Sequence, residues 1–412
     1  MSASEPLEAS GTLPVTLDDI QRAARQLRGE VLRTPIIVAP KLSSLTGAEV
    51  YVKCENLQVT NSFKDRGAFI KLSSLSDAER QRGVVAMSAG NHAQAVAYHA
   101  SRLGIPATIV MPVGTPYVKV GNTEAWGATV ILEGQSVSES LEKAEELAAS
   151  RGLTLVHPFD DARIIAGQGT IGLEILADCP ELDTIVVPIG GGGLISGIAV
   201  AVKSLNERID IVGVQTELFP SMKAALRGET PIFGGNTLAD GIAVNSTGRL
   251  TLEIARRLVH DVLTVDEDAI EHAICAFLSS QKTMVEGSGA AGLAALLCHP
   301  DRFAGRKVCL VLTGGNIDPR ILASIMMRGL EREHKIISLR ITIDDRPGTL
   351  GKIATVLGDA GANILEVFHR RTLLDVPAKG ASLDITVELK DGAHAELVKD
   401  RLGQQGFPVH QI

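Results

Sequence analysis

Short apolar strands that alternate with helices constrain this chain more than any other feature of it. Residues 84–87 are apolar and strand-like, 88–90 form a turn, 91–103 have helical spacing closed by Gly104, and 107–111 make the next strand. The cycle repeats through 115–126, 129–132, 138–150 and 154–157, and continues over 173–177, 184–189, 193–205 and 209–216. A helix between two strands carries the chain back so that both run the same way, and the pattern therefore predicts an α/β domain built on parallel sheet. Ahead of it, Thr16 is placed to cap a helix over 17–28, with Asp19 reciprocating in a capping box, and 48–53 alternates as a short strand.

After the charged run 328–335 the rhythm changes, and a domain boundary is expected there. Strand character at 336–343, a turn at Asp345-Arg346-Pro347-Gly348, a helix over 349–359, strands at 364–370 and 382–389, a helix over 393–404 and a last strand at 408–411 follow. That order is βαββαβ, the ferredoxin-like layout. The chain thus divides into a tail over 1–15, expected to be mobile, a body over 16–330 and a module over 336–412.

Several function classes are disfavoured at once. With 40 Lys and Arg against 48 Asp and Glu, there is no basic excess to track nucleic-acid phosphates. No apolar run approaches the roughly 18 residues that suggest a membrane span. Residues 1–14 carry Glu5 and Glu8 and lack the basic-then-apolar order of a targeting segment, so a cytoplasmic protein is expected. The five cysteines form no Cys-x-x-Cys pair and the ten histidines no His-Glu-x-x-His, and no metal site is expected.

Four segments carry chemistry. Gly190-Gly191-Gly192-Gly193-Leu194 stands between a strand and a helix, where glycines let backbone N–H groups turn inward around an anion and the helix start adds partial positive charge. By itself such a run also suits a flexible turn. Ser88-Ala89-Gly90-Asn91-His92 is a second strand-to-helix turn, whose amides suit a carboxylate and whose Asn91 side chain suits a ring hydroxyl. Thr313, before Gly314-Gly315-Asn316, ends an apolar strand with a hydroxyl able to meet a pyridine nitrogen. Lys64 follows Ser62-Phe63 and precedes Asp65-Arg66-Gly67-Ala68. Taken singly, it would be a solvated surface charge.

Together these segments resemble the fold-type-II (tryptophan synthase β-like) pyridoxal-phosphate enzymes, and among them the threonine/serine dehydratases and serine racemase. Residues 237–244 and 285–291 are similar to further dehydratase segments, and the resemblance runs over 16–330. It implies two α/β subdomains, the smaller one, about 55–158, inserted in the larger. It also implies that Lys64 binds pyridoxal 5'-phosphate as a Schiff base and then serves as base. Phe63 would pack on the ring, Asn91 meet its hydroxyl, Gly190, Gly191, Gly192, Gly193 and Leu194 its phosphate, and Thr313 its nitrogen. Ser88, Ala89, Gly90, Asn91 and His92 would receive the substrate.

The activity implied is elimination of water from L-threonine, and from L-serine, giving 2-oxobutanoate or pyruvate and ammonia, a carbon–nitrogen lyase reaction. A neutral hydroxyl at the ring nitrogen makes a weak electron sink, which favours elimination over transamination. Ala89 stands where serine racemase carries a second acid/base, so racemisation is not expected. Glu217 matches the start of that relative's cation cluster, but Lys223 replaces a later acid. Two alternatives stay open, a dehydratase preferring 3-hydroxyaspartate or serine, and a non-catalytic amino-acid sensor. The C-terminal module resembles an ACT domain, which implies pairing of subunits, as a dimer or tetramer, and an amino-acid effector held by Asp345, Gly348, Leu350, Asn363 and Ile364. Isoleucine, the distal product of the pathway that threonine deamination opens, or valine is the effector expected.

Overall fold

The computed structural model describes residues 12–371 and 380–412. Contacts divide it into two compact units, Met1–Ile317 and Asp318–Ile412. The charged run at 328–335, where a boundary is expected, comes after this division of contacts. It lies in and just beyond the helix Pro319–Arg332, which opens the second unit and packs on the strand after it. At the other end, residues 1–11 of the expected tail lie outside the described residues. Residues 12–15 are not a free tail, because Val15 is fully buried and Leu13 packs on the same cluster. Val15 precedes the Thr16 cap and meets Ile20 in that cluster, so a hydrophobic staple joins the capping box at the start of Leu17–Gln26.

The first unit holds two sheets. Strands β1 (Ile36–Val38), β2 (Glu49–Cys54), β3 (Val84–Met87), β4 (Ala107–Met111), β5 (Thr129–Leu132), β6 (Thr154–Leu155), β7 (Thr184–Pro188), β8 (Asp210–Thr216), β9 (Asp261–Val265) and β10 (Lys307–Leu312) follow in chain order. The larger sheet has the order β1-β2-β10-β7-β8-β9, parallel except for β1. The smaller, β5-β4-β3-β6, is wholly parallel and is built from the residues between β2 and β7. In both, the strand pattern explains the burial. All of β3 and β7 is inside, as expected for strands covered by helices on both faces.

The helix Ala162–Asp178 is the largest departure from the expected elements, since only 173–177 of it has a plain helical signature. Gly167, Gly169 and Gly172 read as helix breakers. Here they are contact points instead. A Cβ on Gly167 would stand 2.7 Å from the Gly67 Cα and 2.8 Å from the Arg66 carbonyl oxygen, so the helix Lys64–Ser73 approaches backbone to backbone. Helix Gly193–Leu205 packs on the same helix from another side, again through glycines, Gly197 against Gly169. Tertiary packing overrides propensity, and it fixes the helix that begins with Lys64.

The second unit contains β11 (Ile336–Asp344), β12 (Asn363–Arg370), β13 (Gly380–Glu388) and β14 (Val409–Gln411), with helices Thr349–Asp359 and Gly392–Gln404. Its sheet order, β12-β13-β11-β14, is antiparallel across each pair and is that of a ferredoxin-like fold. Among the described residues, no helix is long and apolar enough to cross a membrane.

Candidate active site

In a parallel sheet, ligands gather beyond the carboxyl ends of the strands. In the larger sheet β2, β10 and β7 are neighbours and run the same way, so the segments that follow them emerge at one edge. After β2 the chain reaches Lys64, after β10 it reaches Thr313, and after β7 it enters the glycine run. The Phe63 N–H donates to the Thr313 carbonyl at 3.0 Å, and Ser62 pairs with Gly314 in an isolated antiparallel bridge. Lys64 and Thr313 are therefore clamped together by backbone.

Lys64 begins its helix and is largely buried, its Nζ donating to the Pro158 carbonyl oxygen at 2.9 Å. Burial pushes its ammonium down to about 8, against the pull of the Glu286 carboxylate. A lysine tuned this way has a sizeable neutral fraction near pH 7–8, which is what attack on a carbonyl requires. Phe63 packs on the larger core cluster and lies beneath the amine, 5.1 Å from ring centroid to Nζ.

The glycine run closes the other side. Gly192 caps helix Gly193–Leu205 with φ +98°, a conformation side chains resist, and a Cβ on Gly191 would collide with the Phe159 ring. Leu194 points into the core, so only its backbone faces the turn. The Thr251 hydroxyl donates to the Gly191 carbonyl at 2.7 Å, tying the loop to helix Arg249–Leu258.

From the smaller sheet, β3 delivers Ser88 to His92. The Ser88 hydroxyl accepts the Gly90 N–H at 3.1 Å, Ala89 packs on the sheet's apolar cluster, and Asn91 starts the helix Asn91–Arg102. His92 is buried and donates through Nε2 to the Val156 carbonyl at 2.9 Å. Burial, then the charge of Lys64, lowers its pKa to about 3, so it stays neutral. It is a packing histidine rather than a proton carrier.

Sequence reasoning assigned no role to Glu286, Asn316 or the segment 157–161. The Asn91 amide donates to the Glu286 carboxylate at 2.7 Å and accepts from Asn316 Nδ2 at 2.7 Å. Burial raises Glu286 to about 7, with the Asn91 bond opposing. Pro158 and Phe159 meet Lys64 and the glycine run, while Asp160 accepts the N–H groups of Arg249 and Leu250 at 3.0 and 2.9 Å. A carboxylate immediately before Gly287-Ser288-Gly289 was the available signal for Glu286; His157-Pro158-Phe159-Asp160-Asp161 offered none.

These residues fit a phosphorylated aldehyde. Ser62 and Ser288, 0% and 3% exposed, have hydroxyls with no protein partner, a glycine-only turn heads a helix, and the lysine of depressed pKa bonds to Pro158, next to the Phe159 that packs on that turn. The family model for pyridoxal-phosphate dependent enzymes matches residues 27–314. The chain belongs to that family.

The model for the ACT domain matches residues 337–407 of this pyridoxal-phosphate-dependent enzyme. It is 46% identical to an L-threonine ammonia-lyase of Thermotoga maritima over 97% of this chain and 100% of the relative. It is also 46% identical to the catabolic L-threonine dehydratase TdcB of Escherichia coli, over 74% of this chain and 94% of that protein. Among solved structures, the T.th. threonine deaminase superposes with a TM-score of 0.69 at 39% identity, covering 74% of this chain and 99% of that one. Maize serine racemase gives 0.71 at 36%, covering 78% and 99%.

Lys223 donates to the Thr264 hydroxyl at 3.1 Å, and among the described residues no three His, Cys, Asp or Glu side chains cluster to hold a metal ion. In the ACT domain, Asp345, exposed Leu350 and the helix-capping Gly348 follow β11, whose last residue Asp344 pairs with Gly380. Asn363 and Ile364 start β12 at the opposite end of the sheet, where Asn363 pairs with Glu388. That is a separation of roughly 25 Å along a strand. The five proposed effector residues thus do not form one site within a single chain.

Proposed function

We propose that this enzyme is an L-threonine ammonia-lyase that also accepts L-serine. The observation that carries the reading is the Lys64 amine, with its lowered pKa, bonded to Pro158 beside the Phe159 that packs on the glycine turn and within reach of the Glu286 charge that binds Asn91, with Thr313 directly after β10. Bound pyridoxal phosphate supplies the electron sink that makes the substrate's α-proton removable. The chain does the rest. Gly190 to Gly193 and the N–H of Leu194 would hold the phosphate, and Phe63 would back the ring. The turn Ser88 to Gly90, with the amides at the start of helix Asn91–Arg102, receives the substrate carboxylate.

The Lys64 amine would be the group that takes the α-proton of a bound substrate. Thr313 would offer a neutral hydroxyl to the ring nitrogen, which makes a weaker electron sink and would favour departure of the β-hydroxyl, with a proton, as water. The released enamine becomes an imine, and water hydrolyses it to 2-oxobutanoate and ammonia. Ala89 has no proton to give from the opposite face, which favours elimination over racemisation.

Amino-acid binding to the ACT domain provides the regulation, with isoleucine as effector. Because Asp345 and Asn363 stand at opposite ends of one sheet, the effector site needs two copies set side by side with their sheets reversed. The exposed Leu365, Val367 and Phe368 on edge strand β12 suit such pairing, in a dimer or tetramer. Steady-state assays of threonine, serine and 3-hydroxyaspartate side by side test the substrate assignment. The largest kcat/KM is expected for threonine, and a large margin for hydroxyaspartate would overturn it.

A further inference from the structure

Asn91 is held at both ends of its amide. One Nδ2–H goes to Glu286 Oε1 at 2.7 Å, and Oδ1 accepts from Asn316 Nδ2 at 2.7 Å. Asn316 has no freedom of its own, because its second N–H goes to the Thr60 carbonyl at 2.8 Å and its Oδ1 accepts from Asn61 at 3.4 Å. A flipped Asn91 amide would put its oxygen against a carboxylate and its NH2 against another NH2. The orientation is therefore determined, and only one Asn91 N–H is left to give.

The backbone supports the same arrangement. Glu286 N–H donates to the Gly314 carbonyl at 3.1 Å, and the backbone N–H of Asn316 bonds to the Glu286 carboxylate. Gly314 has to be glycine, since a Cβ there would run into that carboxylate and stand 3.1 Å from Asn91 Nδ2. Three separate segments, 286, 314–316 and the start of helix Asn91–Arg102, are thus built around one amide.

We propose that Glu286 and Asn316 are positioning residues that fix the Asn91 amide so that its remaining N–H meets the ring hydroxyl of the bound cofactor. The inference rests on the pyridoxal-phosphate site described above and assigns the carboxylate that the elimination steps leave unused. Its surroundings suit a carboxyl that bonds rather than one that neutralises a charge. Burial holds Glu286 near neutral pKa, and the charged groups that face it are Lys64 from its helix, Asp240 from the turn Asp240–Ile242 and Lys119 from the helix Tyr117–Glu124.

The test compares Glu286→Gln, Glu286→Ala, Asn316→Ala and Asn316→Asp as cofactor-loaded full-length enzymes. A hydrogen bond that orients a reacting group is worth roughly 10- to 100-fold in rate. Glu286→Ala and Asn316→Ala should lose that much in kcat, change KM for threonine less than about threefold, and shift the absorption bands of the bound cofactor. Glu286→Gln keeps an acceptor and should restore most of kcat and the spectrum. Asn316→Asp is nearly isosteric but sets a carboxylate against Asn91 Oδ1, forcing the flip, and should be slower than Asn316→Ala. Trp126 fluorescence checks that each variant is folded.

Wild-type kcat and spectrum in folded Glu286→Ala, or Asn316→Asp no slower than Asn316→Ala, would overturn the inference while leaving the cofactor site intact. Wild-type enzyme without lysine-bound cofactor absorbance would remove the inference and the site together.

Discussion

Replacing Arg66 by Met should destabilise the first unit by about 4 kcal/mol at neutral pH, the middle of the range for breaking a buried ion pair from one side. Arg66, Glu55 and Lys53 are each 0% exposed. Arg66 donates to Glu55 at 2.8 and 2.7 Å and to Glu174 at 2.6 and 2.9 Å, while Lys53 donates to Glu174 at 2.6 Å. Two cations thus balance two carboxylates. Methionine fills similar volume but leaves Glu55 with only the Thr34 hydroxyl and the Gln58 amide.

The sign of the pH dependence follows from Glu55. Burial alone would raise it, but Arg66 and then Lys53 hold it below the usual carboxylate range. In the wild type it therefore adds stability above the unfolded value, about 4.3, that is lost only as pH falls through its lower folded value. Without Arg66 the burial effect prevails and the folded pKa rises, so the penalty is full near pH 7 and lifts as pH falls towards 5. Urea unfolding followed by the single tryptophan, Trp126, which packs against Tyr98 in the first unit, reports this transition. A loss below about 1 kcal/mol, or one that is the same at pH 5 and pH 8, would refute the reasoning.

Three further outcomes are expected. Gly191→Ala forces a methyl into the Phe159 ring and should weaken cofactor binding at least about tenfold by equilibrium absorbance titration, with the apoprotein still folded. Asp160→Ala removes the acceptor for the first N–H groups of helix Arg249–Leu258 and should cost about 1–2 kcal/mol in urea unfolding, within the range for a lost cap. Isoleucine at saturating concentration should shift the threonine saturation curve and raise the thermal midpoint, and no change in either would remove it as the effector.

The fold was readable where local pattern and burial agree. β3, β4 and β5 fall on 84–87, 107–111 and 129–132, since each is a short apolar run between turn residues. It was not readable where a residue's role lies in its partner. Gly167 and Gly169 look like breakers until Gly67 and Gly197 are seen against them. The sequence changes character after the charged run at 328–335, and the ACT match begins at 337, whereas contacts join the helix Pro319–Arg332 to the second unit.

The site shows the same limit. Lys64 and the glycine run are local motifs, whereas Glu286 and Asn316 matter through a bond to Asn91 that spans about 200 residues of sequence and that no spacing reports. The turn chemistry near Gly348 and the Asn363 amide are each readable locally, whereas their places at opposite ends of one sheet, which a site shared between paired copies would reconcile, are not.

Borohydride reduction of the cofactor-loaded enzyme, followed by peptide mass mapping, tests the central assignment most directly. One pyridoxyl-phosphate adduct is expected, on the peptide that contains Lys64, with none in Lys64→Ala. An adduct on another lysine, or a protein that binds the cofactor without any reducible link, would contradict the account.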